Sequence, residues 1–135
     1  MTSGRLRRTL VVCVLPLLAM CAGAPESRRA ADRFMQLYYG EANVGDALKL
    51  CTSAAKAKLE AELAAMQGMA PAAASEKPNV GFRLASETVT SATQATYTYE
   101  VDARTSDVHS LTTSLVLSGG GGQWLVTSFA ETRRD

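Results

Sequence analysis

A chain of 135 residues has room for a single domain. Its 14 Lys+Arg against 13 Asp+Glu carry no basic excess, which argues against a nucleic-acid partner. A single histidine leaves few routes to a His-based catalytic or metal centre.

The first twenty residues read as a secretory leader. Arg5, Arg7 and Arg8 form a positive segment, and residues 9–20 are apolar apart from Thr9. That run is short for a bilayer span and contains Pro16. Two exits from the leader are open. Leu18-Ala19-Met20-Cys21 resembles a bacterial lipobox, with Met20 where that pattern takes a small residue. The resemblance implies a lipid on Cys21 and a membrane-anchored envelope lipoprotein. Ala22-Gly23-Ala24 fits ordinary cleavage, with Pro25 directly after it, and would release a secreted or periplasmic protein. The division expected is a leader over 1–20, a short tether over 21–27 and one domain over 28–133. Taking away Arg5, Arg7 and Arg8 leaves 11 basic residues against 13 acidic, so the exported chain carries about −2.

Residues 26–67 have helical spacing. Ala30, Phe34, Leu37 and Tyr38 make one apolar stripe, and Gly40 with Asn43-Val44-Gly45 ends it. Asp46 is placed to cap a short helix over Ala47–Cys51, and Thr52 or Ser53 to cap another reaching about Met66. In that last helix Ala55, Leu59, Leu63 and Met66 form the stripe, and Lys56 stands four residues from Glu60. Cys51 reads as a small buried apolar side chain, and no disulfide is expected. Arg28-Arg29 and Arg133-Arg134 read as solvated ends. Residues 67–79, with two prolines and much alanine, form a long connection.

The second half alternates with period two. Residues 80–89 do so weakly, and Ser91-Ala92-Thr93 makes a turn. Ala95, Tyr97, Tyr99, Val101 and Ala103 then share one face, opposite Thr96, Thr98, Glu100, Asp102 and Arg104. This is a strand with one buried and one wet side. Leu111, Thr113, Leu115 and Leu117 share a face of the next run, and Gly119–Gly122 reads as a turn of three to five residues. In the returning strand Trp124, Val126, Ser128 and Ala130 alternate with Leu125, Thr127 and Phe129. Both sides are partly apolar, which predicts a strand interior to the sheet. Three helices followed by about four strands predict an α+β fold on an antiparallel meander.

ADRFMQLYYGEANVGDALKLCT, then AKAKLEAEL, ATYTYEVDA and the glycine turn before QWLVTSF together resemble the cystatin-like, nuclear-transport-factor-two-like superfamily. More narrowly, the pattern is similar to small bacterial lipoproteins of unknown function. The resemblance spans about residues 27–132. It implies N-terminal helices packed in the concave face of a curved antiparallel sheet, a cone-shaped barrel with a cavity at its open end. Phe34, Leu37, Tyr38, Tyr97, Tyr99 and Trp124 are the expected lining of that cavity. Enzymes of the superfamily place Asp, His or Tyr there, and His109, Asp32, Tyr38 and Tyr99 are the corresponding residue types. None lies in a motif that assigns a role, so no catalytic residue, cofactor or metal ligand is assigned. The function expected is a non-enzymatic binding or scaffolding module. Its partners would be a second copy or another protein through the sheet face, and the membrane through an N-terminal lipid. The alternative is a pocket for an apolar ligand, or an isomerase- or cyclase-like enzyme.

Overall fold

Helix α1 spans Glu26–Met35, with Glu26 in its first turn and Arg33 in its last, each placed favourably for the helix dipole. It begins within the stretch expected to be tether. The computed structural model describes residues 25–68, 80–103, 110–120 and 122–134. The leader, Cys21 and His109 lie outside the described residues.

α1 runs into a π-helical turn, Gln36–Gly40, in which Glu41 N–H donates to the Gln36 carbonyl at 2.8 Å. The extra residue reduces the angular step between successive side chains. Leu37 and Tyr39 are consequently buried on one side, and Tyr38 stays half-buried between them. The interior stripe is therefore Ser27, Ala31, Phe34 and Met35, followed by Leu37 and Tyr39. Of the expected stripe, Phe34 and Leu37 are buried while Ala30 and Tyr38 pack against the core part-buried; Tyr39 turns inward because the π-helical turn interrupts the α-helix that the periodicity assumed.

α2 occupies Val44–Leu48, three residues earlier than expected, because Asn43 caps it in place of Asp46. Asn43 Oδ1 accepts the Asp46 N–H at 3.0 Å, and Asn43 Nδ2 donates to Asp46 Oδ2 at 2.8 Å, a reciprocal arrangement like a capping box. α3 covers Ser53–Gln67 after an extended Thr52, and Ser53 (φ +53°) makes the corner. Ala55 and Leu59 are fully buried. Met66, expected on the same stripe, is 51% exposed. Lys56 and Glu60 approach to 3.9 Å, an exposed pair worth about 0.3–0.5 kcal/mol.

Four strands follow: β1 (Val80–Ser91), β2 (Gln94–Ala103), β3 (Leu111–Gly120) and β4 (Gln123–Arg133). They form one open antiparallel sheet in the order β1-β2-β3-β4, so the fold is α+β. The alternation of β2 is realised: Ala95, Tyr97, Tyr99 and Val101 are buried, and Asp102 is exposed on the other side. Pairing in the last hairpin reaches Gly119↔Trp124 and Gly120↔Gln123. The first two glycines therefore belong to β3. A Cβ on Gly119 would overlap the Trp124 ring, so close approach, not turn conformation, requires that glycine. Gly122, at φ +83°, carries the turn's left-handed conformation.

β4 is an edge strand, not an interior one. Its two apolar parities come from a bulge: Val116 pairs with Ser128 and Leu117 with Val126, leaving Thr127 extra. The bulge brings both Val126 and Phe129 to the buried side. The outer edge of β4 is covered by the α2–α3 connection. Val126 N–H donates to the Leu50 carbonyl at 2.8 Å, and Thr52 N–H donates to the Val126 carbonyl at 2.9 Å. β1 has its own irregularity between Leu84 and Ser86. Past it the strand outruns the helices, and Val89 is 58% exposed.

The core lies between one face of the sheet and the helices. Phe34, Met35 and Leu59 meet Tyr97, Leu115, Leu117 and Val126 there. Phe34 packs edge-on against Phe129, with ring centroids 5.3 Å apart. Full burial of side chains of this size stabilises by about 1.5–3 kcal/mol each.

Candidate functional site

Two polar clusters flank α1, and they differ in how completely their hydrogen bonds are satisfied. The first surrounds the π-helical turn. Tyr39 donates its hydroxyl proton to Glu131 and also shares a hydrogen bond with Thr113 at 2.7 Å. Tyr38 reaches both carboxylate oxygens of Glu62, at 3.0 and 2.8 Å. Lys58 sits 3.5 Å from Glu131 and 3.9 Å from the centroid of the Phe129 ring. Burial, followed by the carboxylate each hydroxyl bonds, pushes both tyrosines well above their ordinary value of 10.0. Both remain protonated donors. These bonds pin the turn to α3 and β4, which is a structural joint.

The second cluster borders an open groove of about 570 Å³ between α1 and the first two strands. α1 contributes Arg28, Arg29, Asp32 and Arg33, and the π-helical turn Gln36, a spacing that keeps all five on one side. Phe82 and Leu84 of β1 and Tyr99 of β2 form the apolar floor, with the Phe82 and Tyr99 rings edge-on at 6.0 Å. Strand alternation explains that floor. Phe82 pairs with Val101 and Leu84 with Tyr99, so these side chains turn inward. Arg83 turns outward and donates from Nε to Glu100 at 2.6 Å.

The electrostatics of the groove are one-sided. Tyr99, 1% exposed, donates to Asp32 Oδ1 at 2.6 Å, which anchors the carboxylate from below. Burial and then that bond push the Tyr99 hydroxyl far above its usual value, so it stays a donor. Arg28 Nε stands 3.8 Å from Asp32 Oδ2, beyond hydrogen-bond reach, and is buried with no hydrogen-bond partner among the described residues. Arg33 approaches Glu41 only to 3.9 Å between largely exposed side chains. Arg29 is exposed and makes no ion pair among the described residues. Three guanidinium groups thus border the groove beside Asp32, which Tyr99 already holds, and Glu41, 3.9 Å from Arg33. Such an arrangement can bind an anion, and the floor can take apolar surface beside it.

The expected cavity-lining residues have other places. Phe34 and Tyr97 are 0% exposed and Leu37 is buried, all three packed in the core. Ser27 shares a 2.6 Å hydrogen bond with the Tyr97 hydroxyl, closing off that ring. Tyr38 stacks on Phe34 with centroids 5.7 Å apart. Trp124 is half-buried over Gly119 at the far end of the sheet. Of the six, Tyr99 alone borders the groove. Sequence reading missed Arg28, Arg29, Arg33, Gln36, Phe82 and Leu84. The signal available was an arginine-rich helix face one turn deep, to be matched with the inward parity of residues 82 and 84. Arg134 is likewise no free end, since it pairs with Glu100 at 3.4 Å and Asp102 at 3.0 Å.

Cys51 is buried, its Sγ donating to the Ala47 carbonyl at 3.4 Å, and burial pushes its thiol up to about 12. Among the described residues no three His, Cys, Asp or Glu side chains converge as metal ligands. No helix among them is long and apolar enough to cross a membrane. No protein-family model matches this chain, and no curated protein matches its sequence.

Proposed function

We propose that this chain is an exported, lipid-anchored envelope domain that acts as a non-enzymatic binding module through the groove between α1 and β1. The observation that carries the reading is the contrast between a filled interior and an unsatisfied surface groove. Phe34, Leu37 and Tyr97 occupy the space where an enclosed reaction chamber would lie. The groove presents Arg28, Arg29 and Arg33 beside apolar floor residues. Binding chemistry needs no more than this, whereas turnover needs a group poised to exchange a proton or attack. The hydroxyl of Tyr99 is held too firmly protonated to serve as a base.

The order of helices followed by an antiparallel meander supports kinship with the cystatin-like, nuclear-transport-factor-two-like superfamily. In this reading the lipid on Cys21 holds the domain at a membrane, and the groove, more than the sheet face, meets the partner. The far side of the sheet supports that preference, because Arg83, Arg134, Glu100 and Asp102 pair across it.

Amide chemical-shift mapping with a panel of small solutes and amphiphiles tests the binding reading. Perturbations are expected to cluster at residues 28–36, 82–84 and 99. Ligand-induced shifts centred elsewhere, or none across the panel, would refute it. Mass analysis of the exported chain tests the anchor: a diacylglyceryl mass on Cys21, lost in Cys21→Ser, is expected. An unmodified chain beginning at Pro25 would refute the anchor.

A further inference from the structure

We infer that the groove takes a single-chain amphipathic anion, with a phosphate or carboxylate head on the arginines of α1 and its apolar chain on the Phe82–Leu84 floor. This inference rests on the binding-module reading and adds the chemical class of the ligand.

The head-group argument starts from spacing. Arg29 and Arg33 are four residues apart, which brings their Cβ atoms to about 6 Å on the same helix face. Two guanidinium forks at that separation can share one tetrahedral or planar oxyanion, each donating a pair of N–H groups. Arg28 adds a third, with a side chain 39% exposed and its Nε 3.8 Å from Asp32 Oδ2. Asp32 opposes an anion least with its Oδ1, because Tyr99 already donates to it.

The tail argument comes from the floor. Phe82 and Leu84 are only partly buried although they pack against the core, and their free surface opens into the groove. A bare inorganic anion would leave that surface wet. A cationic or neutral amphiphile would leave the arginines without a counter-charge. The volume of about 570 Å³ falls inside the usual range of about 300–1,000 Å³ for small-molecule sites. The surrounding domain is net acidic once the leader is gone, which makes this basic patch a local exception and not a general property of the surface.

Calorimetric titration of the full chain with decyl phosphate, inorganic phosphate, decyltrimethylammonium and decyl maltoside tests the inference. All amphiphiles are kept below the concentrations at which they form micelles. Decyl phosphate is expected to bind about tenfold or more tightly than each of the other three. Arg29→Glu/Arg33→Glu, which alters two exposed side chains, is expected to weaken decyl phosphate at least about tenfold while a cooperative melting transition is retained. Equal binding of the cationic or neutral amphiphile would overturn the anionic assignment while leaving a binding groove. Inorganic phosphate matching decyl phosphate would overturn the role of the floor. Binding that appears only in micelles would mark surface adsorption and overturn the inference. No binding by any of the four would overturn it too, and the chemical-shift panel then decides the binding-module reading separately.

Discussion

Replacing Asp32 by Ala should make the fold weaker and the groove stickier for anions at the same time. The Tyr99 hydroxyl is 2.6 Å from Asp32 Oδ1, on a residue 1% exposed. Deleting the carboxylate strands that hydroxyl, at a cost of about 1–3 kcal/mol. The Arg28–Asp32 pair adds little, because its side chains are 39% and 45% exposed and 3.8 Å apart, worth a few tenths of a kcal/mol at most. The expected loss for Asp32→Ala is therefore about 1–3 kcal/mol, nearly all of it through Tyr99. Tyr99→Phe removes the same bond from the other side, so the double variant should lose far less than the sum. A coupling of about 1–2 kcal/mol is expected from urea titrations followed by Trp124 fluorescence and circular dichroism. Trp124 lies at the other end of the sheet and reports global unfolding, not local change. Simple additivity, with a coupling below about 0.3 kcal/mol, would refute the idea that this bond secures the groove floor. Decyl phosphate should bind Asp32→Ala more tightly than wild type, and weaker binding would contradict the electrostatic account.

Gly119→Ala should destabilise by about 1–3 kcal/mol, since the new methyl must displace the Trp124 ring; a blue- or red-shifted Trp emission with an unchanged urea midpoint would contradict this. Phe34→Ala empties a fully buried ring site and should lose about 3–5 kcal/mol, leaving little or no cooperative unfolding transition by calorimetry. Stability should fall steeply in alkali. Cys51, Tyr39 and Tyr99 have raised pKa values in the folded chain, so the unfolded chain loses protons first. Their contribution is intact below about pH 9 and declines above it, each group adding a slope of about 1.4 kcal/mol per pH unit once ionised only in the unfolded state. A urea midpoint that is the same at pH 8 and pH 11 would refute this. Site-resolved alkylation at pH 8 should leave Cys51 unmodified in the native state and modify it in urea; rapid native labelling would contradict its burial.

The sheet was more legible than the helices, and the reason is physical. A period of two survives as long as the strand does, so residues 95–101 and 111–117 declared their buried sides directly. β4 misled because one extra residue, Thr127, exchanges its faces halfway along, and a bulge leaves no mark in composition. The same kind of irregularity in α1 moved Tyr39 inward and Tyr38 outward. Capping was ambiguous because Asn43 and Asp46 are both good caps, and burial of Val44 favours the earlier start. Of the aromatic residues expected to line a cavity, Phe34 and Tyr97 are fully buried in the core and Trp124 lies over Gly119. The hydroxyls of Tyr97, Tyr99 and Tyr38 found partners within the chain, on Ser27, Asp32 and Glu62. The groove escaped notice because arginines on a helix read as solvent-facing until the neighbouring strand is known.

The π-helical turn has a consequence for how the chain can change. It works as a phase shifter: residues before Gln36 and residues after Gly40 keep separate angular settings. Removing one residue from it would turn everything downstream by about 100° relative to α1. The arginine face would stay where it is, while Tyr39 would swing away from Thr113 and Glu131. The arginine-bearing helix and the turn that locks it to α3 and β4 thus have separate angular settings, with Gln36 common to the groove and the turn. Substitutions can accumulate on the arginine face without disturbing the joint that holds the helix in place.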